Sequence, residues 1–449
     1  RELSETLNNS DSESIRQSIW PVGTRVHALS GARTLLPLFE IRTSRQRFAI
    51  RREHEEQQLG EISLDETVIS RPQGAPLTSM QCVEVEALTE AHEPLQTLVR
   101  TLQRDCALEA AFDTKFSYGL RSAGLVPVPA PQFAPAAIDA SMSMLEVVVA
   151  NLRRHLSAWH RHEPGARLGD DPEELHDLRV AGRRLDSILR QFRSSLPASF
   201  PRIRPALKTV MRALGHVRDL DVALSELDFF SREAPKSDRN SVEPLKQHLV
   251  SERDRARARM LSVLDSIWMR KNLQELWSLL AAPSAPSHHS SPESALNVSP
   301  KLIRRRYRKL RKSADLLRSD SSMEAYHGVR GQVKKLRYAL EAVAVIYGKP
   351  ADEMLRALRR WQEKLGVQQD AAVAGLRLKA IAGAPPKGIP PETLFLMGRL
   401  AEHYASIAVQ ARKRHAKTYR RVRERWKRLR MKFEDLAPND APKLPDSGR

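Results

Sequence analysis

Cysteine is nearly absent: Cys82 and Cys106 are the only two in 449 residues, and neither stands in a CxxC pair or near histidines at a ligand spacing. That argues against structural disulfides and zinc, and it suits a reducing compartment. Aromatic residues make up only 5% of the chain. They are too few to suggest the stacking platforms on which single-stranded nucleic acids are read. No apolar run approaches the ~18 residues of a membrane span, and the polar start has no signal-peptide pattern. The sequence opens on Arg rather than Met, so a fragment is the expectation.

Positive charge, by contrast, is abundant. Lys and Arg number 74 against 54 Asp and Glu, a net +20. This excess implies a polyanionic partner: nucleic acid, an anionic membrane surface or a phosphate polymer. It is unevenly spread. Residues 1–130 hold 14 basic against 18 acidic side chains, which leaves 60 against 36 for residues 131–449. The hydrophobic share of 41% is ordinary, and the length allows two or three domains with sizeable cores.

The basic part contains a duplication. His176-Asp177-Leu178-Arg179-Val180-Ala181-Gly182-Arg183-Arg184-Leu185 is echoed by His327-Gly328-Val329-Arg330-Gly331-Gln332-Val333-Lys334-Lys335-Leu336, an offset of 151. Leu214-Gly215-His216-Val217-Arg218-Asp219 meets Leu365-Gly366-Val367-Gln368-Gln369-Asp370 at the same offset. Two matches at one offset indicate a repeated structural unit. On a helical wheel His176, Arg179, Arg183 and Arg190 fall within about 60°, opposite Leu178, Leu185, Ile188 and Phe192. The second copy sets His327, Arg330 and Lys334 against Val329, Leu336, Ala339 and Val343. Arg184 and Lys335 lie to the flank.

Alternating segments at 33–52, 59–69 and Cys82–Glu86 predict strands, and a helix follows at about 92–110. Pro127, Pro129, Pro131 and Pro135 mark a domain boundary. From 137 onward the periodicity is helical, broken by an Ala/Ser/Pro-rich link at 281–299 and by Ala384 to Pro391. The expected organisation is a segment 1–124, a linker 125–136, two repeats at 137–280 and 300–435 separated by 281–299, and a disordered tail 436–449. Each repeat has room for about four helices. His288 and His289 read as solvated loop residues.

The repeated elements resemble the CHAD family, the conserved histidine α-helical domain, through the His-x-x-Arg-x-x-x-[Arg/Lys]-[Arg/Lys]-Leu helix and the Leu-Gly-x-x-Arg-Asp-x-Asp-Val element at Leu214 to Val222. The resemblance covers about 137–435. It implies two four-helix bundles related by a pseudo-twofold axis, basic faces converging on a central channel, and inorganic polyphosphate as the partner. Gln369 stands where the first copy has Arg218, a departure from symmetry. The implied contact residues are Arg153, Arg154, His176, Arg179, Arg183, Arg184 and Arg218 in one copy. Arg304, Arg305, His327, Arg330, Lys334, Lys335 and Arg337 are those of the other. The histidines are either neutral and hydrogen-bonded within the bundle or protonated once phosphate binds. Asp219 and Asp370 are expected to pair with arginines, and Gly215 and Gly366 to mark a tight helix contact or a helix terminus.

The first part resembles the later half of a CYTH domain, the triphosphate tunnel metalloenzyme fold. The likeness rests on Thr43-Ser44-Arg45, Glu61 to Asp65, Val83-Glu84-Val85-Glu86 and Thr114 to Leu120. It implies an incomplete α+β tunnel barrel whose inward residues are Arg45, Arg47, Glu84, Glu86 and Lys115. The family's opening Glu-x-Glu-x-Lys strand is absent, and Glu53-His54-Glu55-Glu56 lacks the Lys. This part is therefore expected to be inactive as it stands, with no cofactor and no resident metal. A metal-dependent triphosphatase fused to a polyphosphate-binding module would need an upstream strand.

A rival reading is nonspecific RNA binding, because 11 of the 19 residues from Arg412 to Arg430 are Lys or Arg. The blander alternative is a solvated last helix that packs Tyr419, Val422, Trp426 and Leu429 on the bundle. The sequence reading favours a mainly α, cytoplasmic polyphosphate binder with no membrane partner, and polyphosphate granules are an allowed location.

Overall fold

The computed structural model describes residues 21–31, 33–52, 57–72, 74–88, 92–111, 114–125, 132–198, 200–233, 236–281, 293–412 and 415–437. The Glu53 to Glu56 run, the His288–His289 pair and residues 438–449 of the expected tail lie outside them. The chain divides into two compact units, Arg1–Pro129 and Ala130–Arg449, and the division falls within the proline run.

The first unit carries α1 (Pro21–Ser30), then β1 (Glu40–Arg51), β2 (Gln58–Ser70) and β3 (Pro76–Ala87), then α2 (His92–Asp105) and α3 (Lys115–Ser122). The strands form an antiparallel sheet in the order β1-β2-β3. Register pairs Arg45 with Asp65 and Asp65 with Cys82, and Arg47 and Glu84 both flank Ser63. Paired residues share a face, so the charges expected to line a tunnel do sit together. The usual burial is inverted. Ser63, Asp65 and Thr67 are buried, while Phe48, Leu64 and Val68 on the other face are exposed. Helix α3 covers the polar face. Its first residue, Lys115, pairs with Asp65 and Glu84, and Phe116 packs against Phe39 with ring centroids 5.5 Å apart. Gly119 permits this approach, since a Cβ there would lie 2.6 Å from the Phe39 ring.

The second unit is helical. Its elements are α4 (Met144–Leu168), α5 (Pro172–Gln191), α6 (Arg204–Glu233), α7 (Lys236–Asp265) and α8 (Ile267–Ala281). These are followed by α9 (Ala295–Asp315), α10 (Met323–Glu341), the short α11 (Ala344–Tyr347), α12 (Lys349–Gly383), α13 (Pro391–Arg412) and α14 (His415–Asp435). Offsetting by 151 matches α4 with α9, α5 with α10, α6 with α12, α7 with α13 and α8 with α14. Each copy thus holds five matched α-helices where about four were expected, and the second adds the short α11.

Local sequence explains the helix starts. Ser143 and Glu146 form a reciprocal capping box on α4, and Asp171 caps α5 ahead of Pro172 in its first turn. Gly169 ends α4 in the left-handed conformation, φ 76°. The wheel's apolar side is the core side: Leu178, Leu185, Ile188 and Phe192 are buried, as are Val329, Leu336, Ala339 and Val343. Each of these side chains larger than Ala339 contributes about 1.5–3 kcal/mol by burial.

The pseudo-twofold relation is visible in the backbone. Ser143 and Ser294, 151 apart, form an isolated antiparallel bridge. The Met144 amide donates to the Glu293 carbonyl at 2.9 Å, and the Ala295 amide donates to the Met142 carbonyl at 3.0 Å. Reciprocal bonds between equivalent residues are what a twofold axis through that point requires.

Candidate functional site

The cationic faces of α5 and α10 open on one cavity of about 580 Å³. Seven of the residues singled out from the sequence line it: His176, Arg179, Arg183 and Arg218 from the first copy, and His327, Arg330 and Lys334 from the second. Helices α6 and α12 form its side walls. They bring Asp219, Asp370, Gln369 and Arg377, and the comparison of repeats had passed over Arg377.

Carboxylates orient the arginines at matching positions. Arg179 lies 3.4 Å from Asp219, and Arg330 lies 3.5 Å from Asp370. Arg179 also donates to the Gly215 carbonyl at 3.1 Å, and Arg330 donates to Gln369 Oε1 at 2.9 Å. The expected pairing role of the two aspartates is therefore seen in both copies. Gly215 and Gly366 occupy neither helix terminus. Each lies within a helix and leaves room for a guanidinium, and a Cβ on Gly366 would come 3.2 Å from Arg330. Arg218 reaches Glu173 at 3.1 Å.

Positive charge in the cavity is only partly neutralised. Among the described lining residues, Arg179, Arg183, Arg218, Arg330, Lys334 and Arg377 outnumber Asp219, Glu226 and Asp370. Burial, followed by the neighbouring Arg330 and Arg183, pulls the Lys334 ammonium down to about 8. Burial and then Arg183 act in the same direction on Arg179. The buried Nε of Arg330 has no hydrogen-bond partner among the described residues. His176 and His327 are exposed on the cavity. No hydrogen bond of either imidazole to another described residue is present.

The other sequence candidates lie elsewhere. Arg184 and Arg337 converge on Glu341, at 3.5 and 3.3 Å, and Arg359 joins them at 3.4 Å. Arg153 donates twice to the Leu280 carbonyl, at 2.9 and 2.6 Å. Arg304 sits 3.6 Å from Glu434. Lys335 faces Arg190, Arg306 and Lys309, while Arg305 adjoins Arg306. Arg154 lies beside His155, whose imidazole is held down to about 3 by burial first and by Arg184 and Arg154 next. The last helix packs as the bland reading expects. Tyr419, Val422 and Leu429 are buried, and Trp426 stacks on Tyr307 at 4.0 Å.

In the first unit Arg45 is bonded to Asp65 and lies 2.5 Å from Glu84, and Lys115 shares both carboxylates. Arg47 is 3.7 Å from Glu61, and Glu86 is exposed. Lys115, one of the expected inward residues, projects from the first turn of α3. Asp65, Cys82 and Glu84 could gather around a metal ion. The residues present do not fit one, because the Arg45 guanidinium and the Lys115 ammonium already occupy the carboxylates and would repel it.

Among the described residues, no helix is long and apolar enough to cross a membrane. No curated protein matches the chain. The fold is similar to the crystal structure of the CHAD domain from the plant Ricinus communis, with a TM-score of 0.53 and 24% identity, over 65% of this chain and 97% of that one. It is also similar to PptA from Streptomyces chartreusis, with a TM-score of 0.50 and 19% identity, over 62% of this chain and all of the other. The family model of the CHAD domain matches residues 150–379, just over half of the sequence and the part that holds the cavity's cationic residues, and on that match the chain belongs to the CHAD domain family.

Proposed function

We propose that the second unit binds inorganic polyphosphate in the cavity between its two repeats. The observation that carries this reading is the meeting of both His/Arg helix faces on one concave, under-neutralised surface. Each phosphate brings about one negative charge, and a guanidinium can grip two of its oxygens at once. Concavity raises the local potential above that of a flat patch, and a bound polyanion offsets the repulsion that disfavours the Lys334 ammonium without one. Arg179, Arg183, Arg330 and Lys334 would make the central contacts, with Arg218 and the two histidines beside them. The Arg184, Arg337 and Lys335 side of the same helices would extend the basic surface.

The three-stranded unit is read as CYTH-like and without activity as it stands, since Asp65 and Glu84 are engaged by Arg45 and Lys115. A cytoplasmic setting, on or off polyphosphate granules, follows from the same proposal. RNA is the competing partner, favoured by the Arg412 to Arg430 segment. Both polyanions release counterions on binding, so salt dependence cannot separate them. Competition can. Long-chain polyphosphate should displace single-stranded RNA at equal phosphate concentration, and Arg183→Glu with Lys334→Glu should abolish polyphosphate binding. RNA binding that is as tight, depends on the C-terminal helix and ignores the double variant would overturn the proposal.

A further inference from the structure

Arg377 apart, the cationic side chains that line the cavity gather at one end. Beyond Asp219 and Asp370 its side walls continue as Val222 and Val373, Ala223 and Ala374, Leu227 and Leu378, then Phe230 and Ile381, each pair 151 apart. From Val222 to Phe230 is eight helical residues, about 12 Å at 1.5 Å per residue. Leu245 and Leu249 of α7 and Leu400 of α13 close the lobe, and all three are buried. The polar groups on this stretch already have partners. The Tyr404 hydroxyl donates to Glu226 at 2.9 Å, and Arg377 donates to the Asp219 carbonyl at 3.0 Å.

An inorganic chain gains little from such walls, because a phosphate placed against leucines loses hydration and Arg377 beside them is engaged by the Asp219 carbonyl. A hydrocarbon gains there. A volume of about 580 Å³ also falls within the range of about 300–1,000 Å³ typical of small-molecule sites. We propose that the cavity accepts amphipathic anions, namely phosphate or diphosphate monoesters of a linear or branched hydrocarbon. The head sits on Arg179, Arg183, Arg330 and Lys334, and the tail lies along the Val222–Phe230 and Val373–Ile381 walls. This rests on the reading that the cationic end holds phosphate.

The test is calorimetric titration of the full chain with hexyl, octyl, decyl and dodecyl monophosphates below their micelle concentrations, with inorganic pyrophosphate and polyphosphate run in parallel. Affinity should rise about fourfold per methylene, the equivalent of about 0.8 kcal/mol for each buried CH₂, and level off once the tail fills the wall. Phe230→Ser and Ile381→Ser, both at half-buried positions, should flatten that slope while polyphosphate affinity holds. Retained helical circular dichroism separates this result from misfolding. Affinity independent of tail length, with polyphosphate binding intact, overturns the amphiphile proposal and leaves the polyphosphate reading standing. Failure of every phosphate to bind overturns both. Decanol binding as tightly as decyl phosphate removes the need for an anionic head and overturns it as well. So does capture by phosphatidic-acid vesicles without binding of free alkyl phosphates, which would assign the surface to a membrane headgroup.

Discussion

Replacing Lys334 with Met should make the ligand-free protein more stable and the polyphosphate complex weaker. Lys334 lies half-buried among Arg330 and Arg183, and its ammonium is pulled down to about 8. Set against an ordinary lysine near 10.4, that depression corresponds to about 3 kcal/mol of disfavoured charge. Solvent screening of a half-buried group reduces it to about 1–2 kcal/mol. Met keeps the length and the apolar stem, so the substitution removes repulsion without opening a void. Urea unfolding at pH 7, in buffer free of phosphate, should show the gain. The pH dependence supplies a second check. Between about 8 and 10.4 the unfolded state binds more protons than the folded one, so wild-type stability should rise with pH through that window. The variant should lack the rise. Losing one charge-assisted contact of about 1.5–3 kcal/mol should weaken polyphosphate roughly 10- to 100-fold. Wild-type affinity should itself decline above pH 8 as the ammonium deprotonates. A variant that is less stable by more than about 1 kcal/mol, or that binds polyphosphate as well as wild type, would refute this reasoning.

Gly366→Ala should push Arg330 aside and weaken polyphosphate several-fold, because the new Cβ would stand 3.2 Å from its guanidinium. Gly215→Ala, with 3.9 Å to Arg179, should leave binding near wild type and add about 0.5–1 kcal/mol of helix stability. Calorimetry and thermal melts on both variants decide the matter. In the first unit, Asp65 is held down to about 2 by Arg45 first and Lys115 later. Its contribution is present above about pH 4 and fades as pH falls toward 2, so sheet ellipticity should be lost over that interval and Asp65→Asn should lack this transition. With Mg²⁺ or Mn²⁺ the chain should release no phosphate from triphosphate or ATP. Metal-dependent release that disappears on Glu84→Gln would contradict the engaged state of that carboxylate.

The duplicated motif was legible because histidine and arginine at fixed helical spacing are chemically specific. The paired aspartates could be anticipated for the same reason. Arg377 was hidden by that same reasoning, since its repeat mate is Glu226 and a search for retained chemistry discards it. Arg184 drew attention as part of the basic pair with Arg183 in the repeated motif. One residue along a helix is a turn of about 100°, and that rotation carries Arg184 away from the cavity toward Glu341. The apolar lobe was illegible for a plainer reason: leucines that line a void share their periodicity with leucines that fill a core. Lys115 stands among the expected inward residues, but only the tertiary structure shows it reaching Asp65 from a helix N-terminus.

The bridge between Ser143 and Ser294 has a consequence for which way round a ligand can lie. A linear chain of identical phosphates reads the same from either end. A binding surface built about a twofold axis would accept it in two orientations, a degeneracy of about RT ln 2, or 0.4 kcal/mol, in favour of the complex. Arg218 with Gln369 at the equivalent position of the other copy, and Glu226 with Arg377, lift that degeneracy, giving the cavity a polarity its uniform guest does not have. A guest with distinct head and tail would forfeit the doubling and answer to the polarity instead.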